Sequence, residues 1–123
     1  MATIKSYTSL EQSEKLAEIL PLESADMWWN YYSVTTDFGT PQIVHLNTPW
    51  VGNFNWYNKP DNVPCWSLSA LLDILPEEYT NLIIKEGGMY RTLIKNFCMT
   101  PWFDNPIDAC VTTIEKLHEL KML

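Results

Sequence analysis

Three stretches of the chain place apolar residues three and four positions apart, which is the spacing of one face of an α-helix. The first helix is predicted to begin at Thr8 or Ser9, because Thr8 and Glu11 have the spacing of a capping box, and to stop at Pro21. The second begins after Ser67, a favourable N-cap residue. Its apolar stripe is Leu68, Leu71, Leu72 and Leu75.

The third helix is predicted from its start signals and its apolar face. Asn105 is a good N-cap, Pro106 suits the first helical position, and Asp108 lies in the first turn. One face carries Ile107, Cys110, Val111, Ile114 and Leu117. We expect this helix to run to about Leu120 and to pack closely against the core.

The segments between the helices are rich in aromatic and β-branched residues and predict two hairpins. The predicted strands are residues 27–36 and 42–46 in the first hairpin, and residues 81–86 and 89–97 in the second. The first turn is predicted at 37–39. The second is predicted at Gly87 and Gly88, because glycine tolerates the positive φ angles of a tight turn.

The predicted element order is therefore α-ββ-α-ββ-α, which indicates a single α+β domain over residues 1–123. One antiparallel sheet of about four strands, with the helices packed on one face, would bury all three apolar stripes. The other face then stays partly open. Arg91 and Lys95 share one side of the last strand, and with Lys85 across the hairpin they predict either a small cationic patch or an ordinary solvated face.

Between residues 47 and 64 the chain is dense in proline and asparagine, and we expect a long loop without regular structure. Loops of this length are often functional. This one combines flat aromatic rings with amide groups, which protein interaction hot spots favour and on which sugar rings stack. The candidate binding residues are Trp50, Phe54, Trp56 and Tyr57, with His45 on the preceding strand. The same rings have a second interpretation as a cover for a thin core.

Composition and charge narrow the classes of function. Of 123 residues, 46% are hydrophobic and 19% are charged, which excludes a wholly disordered chain. No apolar run is long enough to span a bilayer, and no signal-peptide pattern opens the chain, so we expect a cytoplasmic protein. The net charge of −7 is spread over both halves. We expect no direct binding to nucleic acid or to an anionic membrane, whereas a basic partner is permitted.

Nucleophiles and bases are few and scattered. Cys65, Cys98 and Cys110 lie far apart among apolar or aromatic neighbours, which is typical of reduced, buried thiols. His45 and His118 are the only histidines, and no spacing pairs either of them with a nucleophile. The sequence therefore presents no catalytic constellation.

The acidic residues give no clear indication of a metal site. The tight acidic groups are Asp104 with Asp108 and Glu77 with Glu78. The first pair lies at a helix start, where the helix dipole favours negative charge without any metal. Zinc spacings and phosphate-binding glycine loops are absent from the sequence. We expect no metal and no cofactor.

Three segments carry a resemblance to known proteins. They are EQSEKL followed by LPLESADMWW, then PCWSLSALLDILP, and finally NPIDACVTTIEKL. Together they resemble a family of small uncharacterised proteins from prophages and mobile elements of gut anaerobic bacteria. The resemblance spans most of the chain and is weakest at residues 48–61 and 82–97. It implies a phage or mobile-element origin and an intracellular product, with no assigned activity and no catalytic residue.

Two functions fit these observations. The one we favour is a non-enzymatic protein-binding or adaptor module, which uses the aromatic loop to contact a host or phage protein or forms a homodimer. The alternative is a small-molecule or carbohydrate-binding protein, or a cryptic hydrolase, with a pocket under the 48–64 loop where Trp56 or Tyr57 meets His45. A third hypothesis, an acidic surface that mimics nucleic acid, rests on the net charge alone.

Overall fold

The computed structural model describes residues 5–35, 37–45, 48–52, 62–76, 81–94 and 98–121. Within these ranges the helices are α1 (Leu10–Ala17), α2 (Leu68–Ile74) and α3 (Pro106–Glu119), with a 3₁₀ turn at Leu22–Ser24. The strands are β1 (Met27–Trp29), β2 (Tyr31–Thr35), β3 (Pro41–His45), β4 (Trp50–Val51), β5 (Val63–Cys65), β6 (Asn81–Glu86), β7 (Met89–Ile94) and β8 (Cys98–Met99). All strand pairs described are antiparallel, and the predicted α+β class is confirmed.

Helix α1 begins at the predicted place with a different cap. Ser9 Oγ accepts a hydrogen bond from Gln12 N, and Gln12 Oε1 accepts one from Ser9 N, so the capping box joins these two residues. The prediction of a box between Thr8 and Glu11 is wrong because Thr8 is fully buried and its hydroxyl points into the protein. The helix ends at Ala17, ahead of the proline that was expected to stop it.

Helix α2 confirms its predicted cap and corrects its stripe. Ser67 Oγ accepts a hydrogen bond from Ala70 N. Leu71 and Leu75 are buried, whereas Leu72 is exposed, so the prediction that Leu72 belongs to the packed stripe is wrong. This short helix packs mainly against α3, which covers only one flank of the apolar stripe.

Helix α3 follows the sequence closely. Asn105 Oδ1 accepts a hydrogen bond from Asp108 N, and Pro106 occupies the first helical position, as predicted. All members of the predicted face are buried, namely Ile107, Cys110, Val111, Ile114 and Leu117. The helix packs against both α2 and β7, which makes it the centre of the fold.

The strand predicted over residues 27–36 divides at Asn30 into β1 and β2. Three sheets result, with strand orders β4-β1-β5, β2-β3 and β6-β7-β8 among the described residues. The prediction of a single four-stranded sheet is therefore wrong. Asn30 Oδ1 accepts a hydrogen bond from Tyr31 N at 2.9 Å. This side chain satisfies the backbone where the chain leaves the first sheet.

Two short strands, β4 and β5, form inside the stretch that was expected to lack regular structure. Both pair with β1, which places Trp50 on one side of Trp28 and Pro64 on the other. The prediction is wrong at these positions because pairing with a distant strand outweighs the local preference for turns. Residues 53–61 lie outside the described part of the chain.

Both predicted turns are confirmed. Gly39 has a φ of 75° in the turn between β2 and β3, and Gly87 and Gly88 have φ angles of 59° and 77° between β6 and β7. The two-residue glycine turn fixes the register of the second hairpin, in which Glu86 lies opposite Met89. Residues 95–97 of the predicted last strand lie outside the described ranges.

The core lies between the helices and the inner sheet surfaces. Its largest fully buried side chain is Trp66, which follows β5. Around it pack Leu16, Leu20, Trp28, Leu71, Leu75, Ile107, Cys110, Val111, Ile114 and Leu117. Among the described helices, none is both long and apolar enough to cross a membrane.

Candidate functional site

Trp50 is the predicted site residue whose geometry is most informative. It lies on β4, directly opposite Trp28 of β1. The two indole rings meet edge to face, with centroids 5.2 Å apart and planes at 65°. Trp28 is buried, whereas Trp50 keeps 50% of its surface exposed. One part of the Trp50 ring is therefore anchored on the core while the rest faces solvent.

The strand that carries Trp50 is held in place by its backbone. Beyond the β1 pairing, Gly52 N donates to Asp26 O at 3.0 Å. Val51 beside it is almost fully exposed. Among the described residues, β4 has β1 on one side and no strand on the other. The exposed part of the Trp50 ring and the open edge of β4 together form a candidate recognition surface, which we call the Trp50 surface. Val51 points to the opposite face of the sheet, because side chains alternate along a strand.

The other predicted site residues are not brought into this surface by the described structure. His45 lies on β3, in a different sheet from Trp50, and its ring contacts that of Tyr31 with centroids 6.5 Å apart. Phe54, Trp56 and Tyr57 lie outside the described residues. Of the five predicted binding residues, only Trp50 therefore contributes geometry to a candidate site.

Of the two alternatives for the charged side chains of the second hairpin, a cationic patch that joins Lys85 to Arg91 is wrong. In the second hairpin Arg91 lies opposite Ile84, and Lys85 lies opposite Tyr90. Side chains that are opposite in register share a face, and adjacent positions alternate, so Lys85 and Arg91 point to opposite faces of the sheet. Lys85 lies over the Tyr90 ring, with Nζ 5.6 Å from its centroid. Lys95 is outside the described ranges.

Sequence reasoning missed Trp102, which covers the outer face of the β6-β7-β8 sheet. The Arg91 guanidinium stacks over the Trp102 ring at 4.3 Å, and Arg91 Nε donates to Thr100 O at 3.2 Å. Trp102 remains 36% exposed. It borders an open groove of about 570 Å³ together with Glu86, Gly87 and Met89. Its only signal in the sequence was the strand alternation that directs Arg91 outward.

The thiols of Cys65 and Cys110 are buried. Cys65 Sγ lies 3.5 Å from Thr8 Oγ1, and burial raises the pKa of the Cys65 thiol. Burial also raises the pKa of Cys110 to about 11, although the neighbouring Thr92 side chain lowers it slightly. Both sulfurs are therefore protonated at neutral pH, and the thiol is a poor nucleophile. The expectation of reduced, buried cysteines is confirmed for these two.

A polar cluster closes the space between α1 and α3 around Asp108. Its Oδ1 accepts hydrogen bonds from Lys5 Nζ at 2.9 Å and Gln12 Nε2 at 2.7 Å, and its Oδ2 accepts from Asn105 Nδ2 at 2.9 Å. Burial of the carboxylate favours a higher pKa, but the donors from Asn105, Lys5 and Gln12 outweigh it and hold the pKa of Asp108 below its ordinary value. The cluster joins two helices, which is a structural role.

We expect Asp108→Asn to be less stable than the wild type at pH 7 and to lose less stability in acid. A carboxyl group whose pKa is lowered by folding stabilises the protein above its ordinary pKa of about 4, and this contribution disappears as the pH falls through the lower folded value. Urea unfolding between pH 7 and pH 2 measures the difference. Lys5→Met, which keeps the carboxylate and its amide donors, should lie between the two profiles. Parallel profiles for all three proteins would contradict the assignment.

A second groove, of about 340 Å³, is acidic. Glu23, Asp26 and Asp73 line it beside α2. The Asp26 carboxylate already accepts hydrogen bonds from Ser67 N and Ser67 Oγ. In the part of the chain that the structure describes, no three His, Cys, Asp or Glu side chains gather as metal ligands. Asp26 therefore has a structural role at the start of α2.

Comparisons of the chain with protein-family models, curated proteins and solved structures found no match. We therefore interpret the site from its own geometry. The feature that best suits recognition of another molecule is the Trp50 surface, which combines an anchored indole with an open strand edge.

Proposed function

We propose that the protein is a binding module that acts by contact with a protein partner through the Trp50 surface. The observation that carries this proposal is the position of the Trp50 ring, half exposed and packed edge to face on the buried Trp28. Tryptophan is enriched at the centres of protein interfaces because one ring removes a large apolar area from water.

The anchoring of the ring favours binding energetically. A freely rotating side chain loses rotamer entropy when a partner immobilises it, at a cost of about 0.5–1.5 kcal/mol. Contact with Trp28 already restricts Trp50, so part of that cost falls on folding instead of binding.

The open edge of β4 is suited to a partner that presents an extended peptide segment. Within the described residues, the outer edge of this strand has unpaired backbone groups next to the exposed indole. An extended peptide can add to such an edge by main-chain hydrogen bonds, while the side chains supply specificity. The net charge of −7 favours a partner segment that carries positive charge.

We expect Trp50→Ala to weaken capture of the partner strongly, while Trp102→Ala retains it. Trp102 is the matched control because it is also a partly exposed tryptophan, 36% against 50% exposed, and packs on Arg91 of a different sheet. The measurement is affinity capture with the two variants and the wild type, followed by titration of the captured protein. Loss of a central tryptophan costs about 2 kcal/mol of binding free energy, which raises the dissociation constant roughly 30-fold.

Equal capture by Trp50→Ala and the wild type would contradict the proposal, as would equal losses in both variants. Circular dichroism of each variant separates loss of binding from loss of fold. The resemblance to prophage and mobile-element proteins supports a search among cytoplasmic host or phage proteins for the partner. That origin and location stay predictions.

The alternative of a small-molecule or carbohydrate pocket under the 48–64 loop gains no geometric support from the described residues. Trp50 and His45 line neither of the two grooves described above, and they do not line the groove of about 360 Å³ between α1 and α3. The loop residues Trp56 and Tyr57, on which that pocket depends, lie outside the described ranges. We therefore develop only the protein-binding function.

A further inference from the structure

The hairpin formed by β2 and β3 projects from the rest of the chain. Every residue from 34 to 43 whose burial is described is exposed. Phe38 at its tip is 95% exposed, and Val34 on β2 is 40% exposed. The two strands pack mainly against each other. An isolated two-stranded hairpin is marginally stable in water, so a third strand would stabilise it considerably.

The outer edge of β2 is suited to receive such a strand. Among the described residues, β2 has β3 on one side and no strand on the other. Its sequence, YYSVT, is rich in β-forming residues and contains no proline. The opposite strand begins with Pro41, which has no N–H to donate, and proline is disfavoured in strands that have a neighbour on both sides. The hairpin therefore has one favourable edge for pairing.

The low charge of the hairpin favours a second copy of the chain at that edge. Exposed edge strands are usually protected from self-pairing by lysines or other charged side chains. From residue 31 to residue 46 the sequence YYSVTTDFGTPQIVHL has a single acidic residue, Asp37, and no lysine or arginine. The rest of the chain carries almost all of the net charge of −7. Self-pairing at this edge consequently brings few like charges together.

We propose that β2 pairs antiparallel with β2 of a second copy of the chain, which forms a homodimer with a continuous four-stranded sheet. The pairing is symmetric about a two-fold axis, so each copy uses the same edge and the assembly closes at two chains. The dimer brings Val34 of the two copies near each other and gives each hairpin a third strand, which the described residues do not provide. This inference does not depend on the Trp50 surface.

We expect Val34→Lys to convert the dimer to a monomer and Leu72→Lys to leave it intact. The control matches in exposure, 40% for Val34 against 43% for Leu72, and in the charge introduced. In a pairing centred on β2, the two substituted positions are diagonal neighbours about 7–8 Å apart, so the added charges repel. Sedimentation at several concentrations measures the mass. The dissociation constant should rise at least about tenfold for Val34→Lys.

A wild-type monomer at all concentrations would overturn the proposal, and so would a dimer that Val34→Lys leaves unchanged or an open-ended assembly. Hydrogen exchange of the wild type tests the same edge without any substitution. Protection of the amides of residues 31–35 should increase with protein concentration, and constant protection would also overturn it. Added salt should strengthen the dimer, because it screens the repulsion between two chains of charge −7. Weakening by salt would indicate ion pairing at another surface and contradict the β2 interface.

Discussion

Trp66→Ala is expected to lower the free energy of unfolding by about 3–5 kcal/mol, the usual cost of removing a fully buried aromatic side chain. Trp66 is the largest side chain that the core encloses completely. Its Nε1 donates to Ser24 Oγ at 2.9 Å, so the substitution also removes a partner from that hydroxyl. Since a domain of this size has a total stability of about 5–15 kcal/mol, the loss is a large fraction of it.

Urea unfolding followed by circular dichroism measures the effect. Leu72→Ala is the control, because Leu72 is an exposed apolar residue on the adjacent helix and its truncation should cost less than about 1 kcal/mol. Similar losses for both substitutions would contradict the arrangement of the core around Trp66.

Thr8→Val is expected to cost about 2–3 kcal/mol although it changes the shape of the side chain very little. Thr8 Oγ1 accepts a hydrogen bond from Trp66 N at 3.2 Å and lies 2.7 Å from Ser13 Oγ. Trp29 Nε1 donates to the same Ser13 hydroxyl at 3.1 Å. Removing the Thr8 hydroxyl leaves a buried N–H without a partner, which costs more than a hydrogen bond contributes.

Thr113→Val is the matched control for this prediction. Thr113 is equally buried, but its hydroxyl donates to Ala109 O, a carbonyl that also accepts the α3 backbone hydrogen bond. Its loss leaves no donor unsatisfied, and we expect a cost below about 1 kcal/mol. Thermal or urea unfolding of the two variants should therefore differ clearly. Equal costs would show that the Thr8 network contributes no more than ordinary packing.

The core around Trp66 also supports the Trp50 surface. Trp66 directly follows β5, which pairs with β1, and β1 supplies the Trp28 ring beneath Trp50. Loss of the core at Trp66 should therefore also disturb the Trp50 surface. Binding by Trp50→Ala is therefore measured only after the variant is shown to be folded. The Trp66 and Thr8 variants test the stability of the core beneath the Trp50 surface.

The candidate site was only partly predictable from sequence. Trp50 was identified by its residue type and by the turn-rich segment around it, and it is exposed. The sequence could not place His45 in another sheet, because both residues lie near one another along the chain and their separation depends on the division at Asn30. Trp102 was missed because its contact with Arg91 requires β8 to return alongside β7.

The sequence by itself determined the elements whose signals are local. The caps at Ser67 and Asn105, the buried face of α3 and the glycine turn at Gly87 and Gly88 each depend on residues within a few positions of one another. Backbone geometry and the 3.6-residue period of a helix act over that short range, so they can be read directly from the residue types.

Only the tertiary structure decided how the strands are grouped and which rings reach solvent. Trp28 and Trp50 are the same residue type in adjacent strands, yet one is buried and the other half exposed, because β1 lies between β4 and β5 while β4 lies at the sheet edge. Strand pairing joins residues that are far apart in sequence, and its energy comes from neighbours that no local pattern specifies. For the same reason the sequence did not predict the projecting hairpin, which exists because β2 and β1 belong to different sheets.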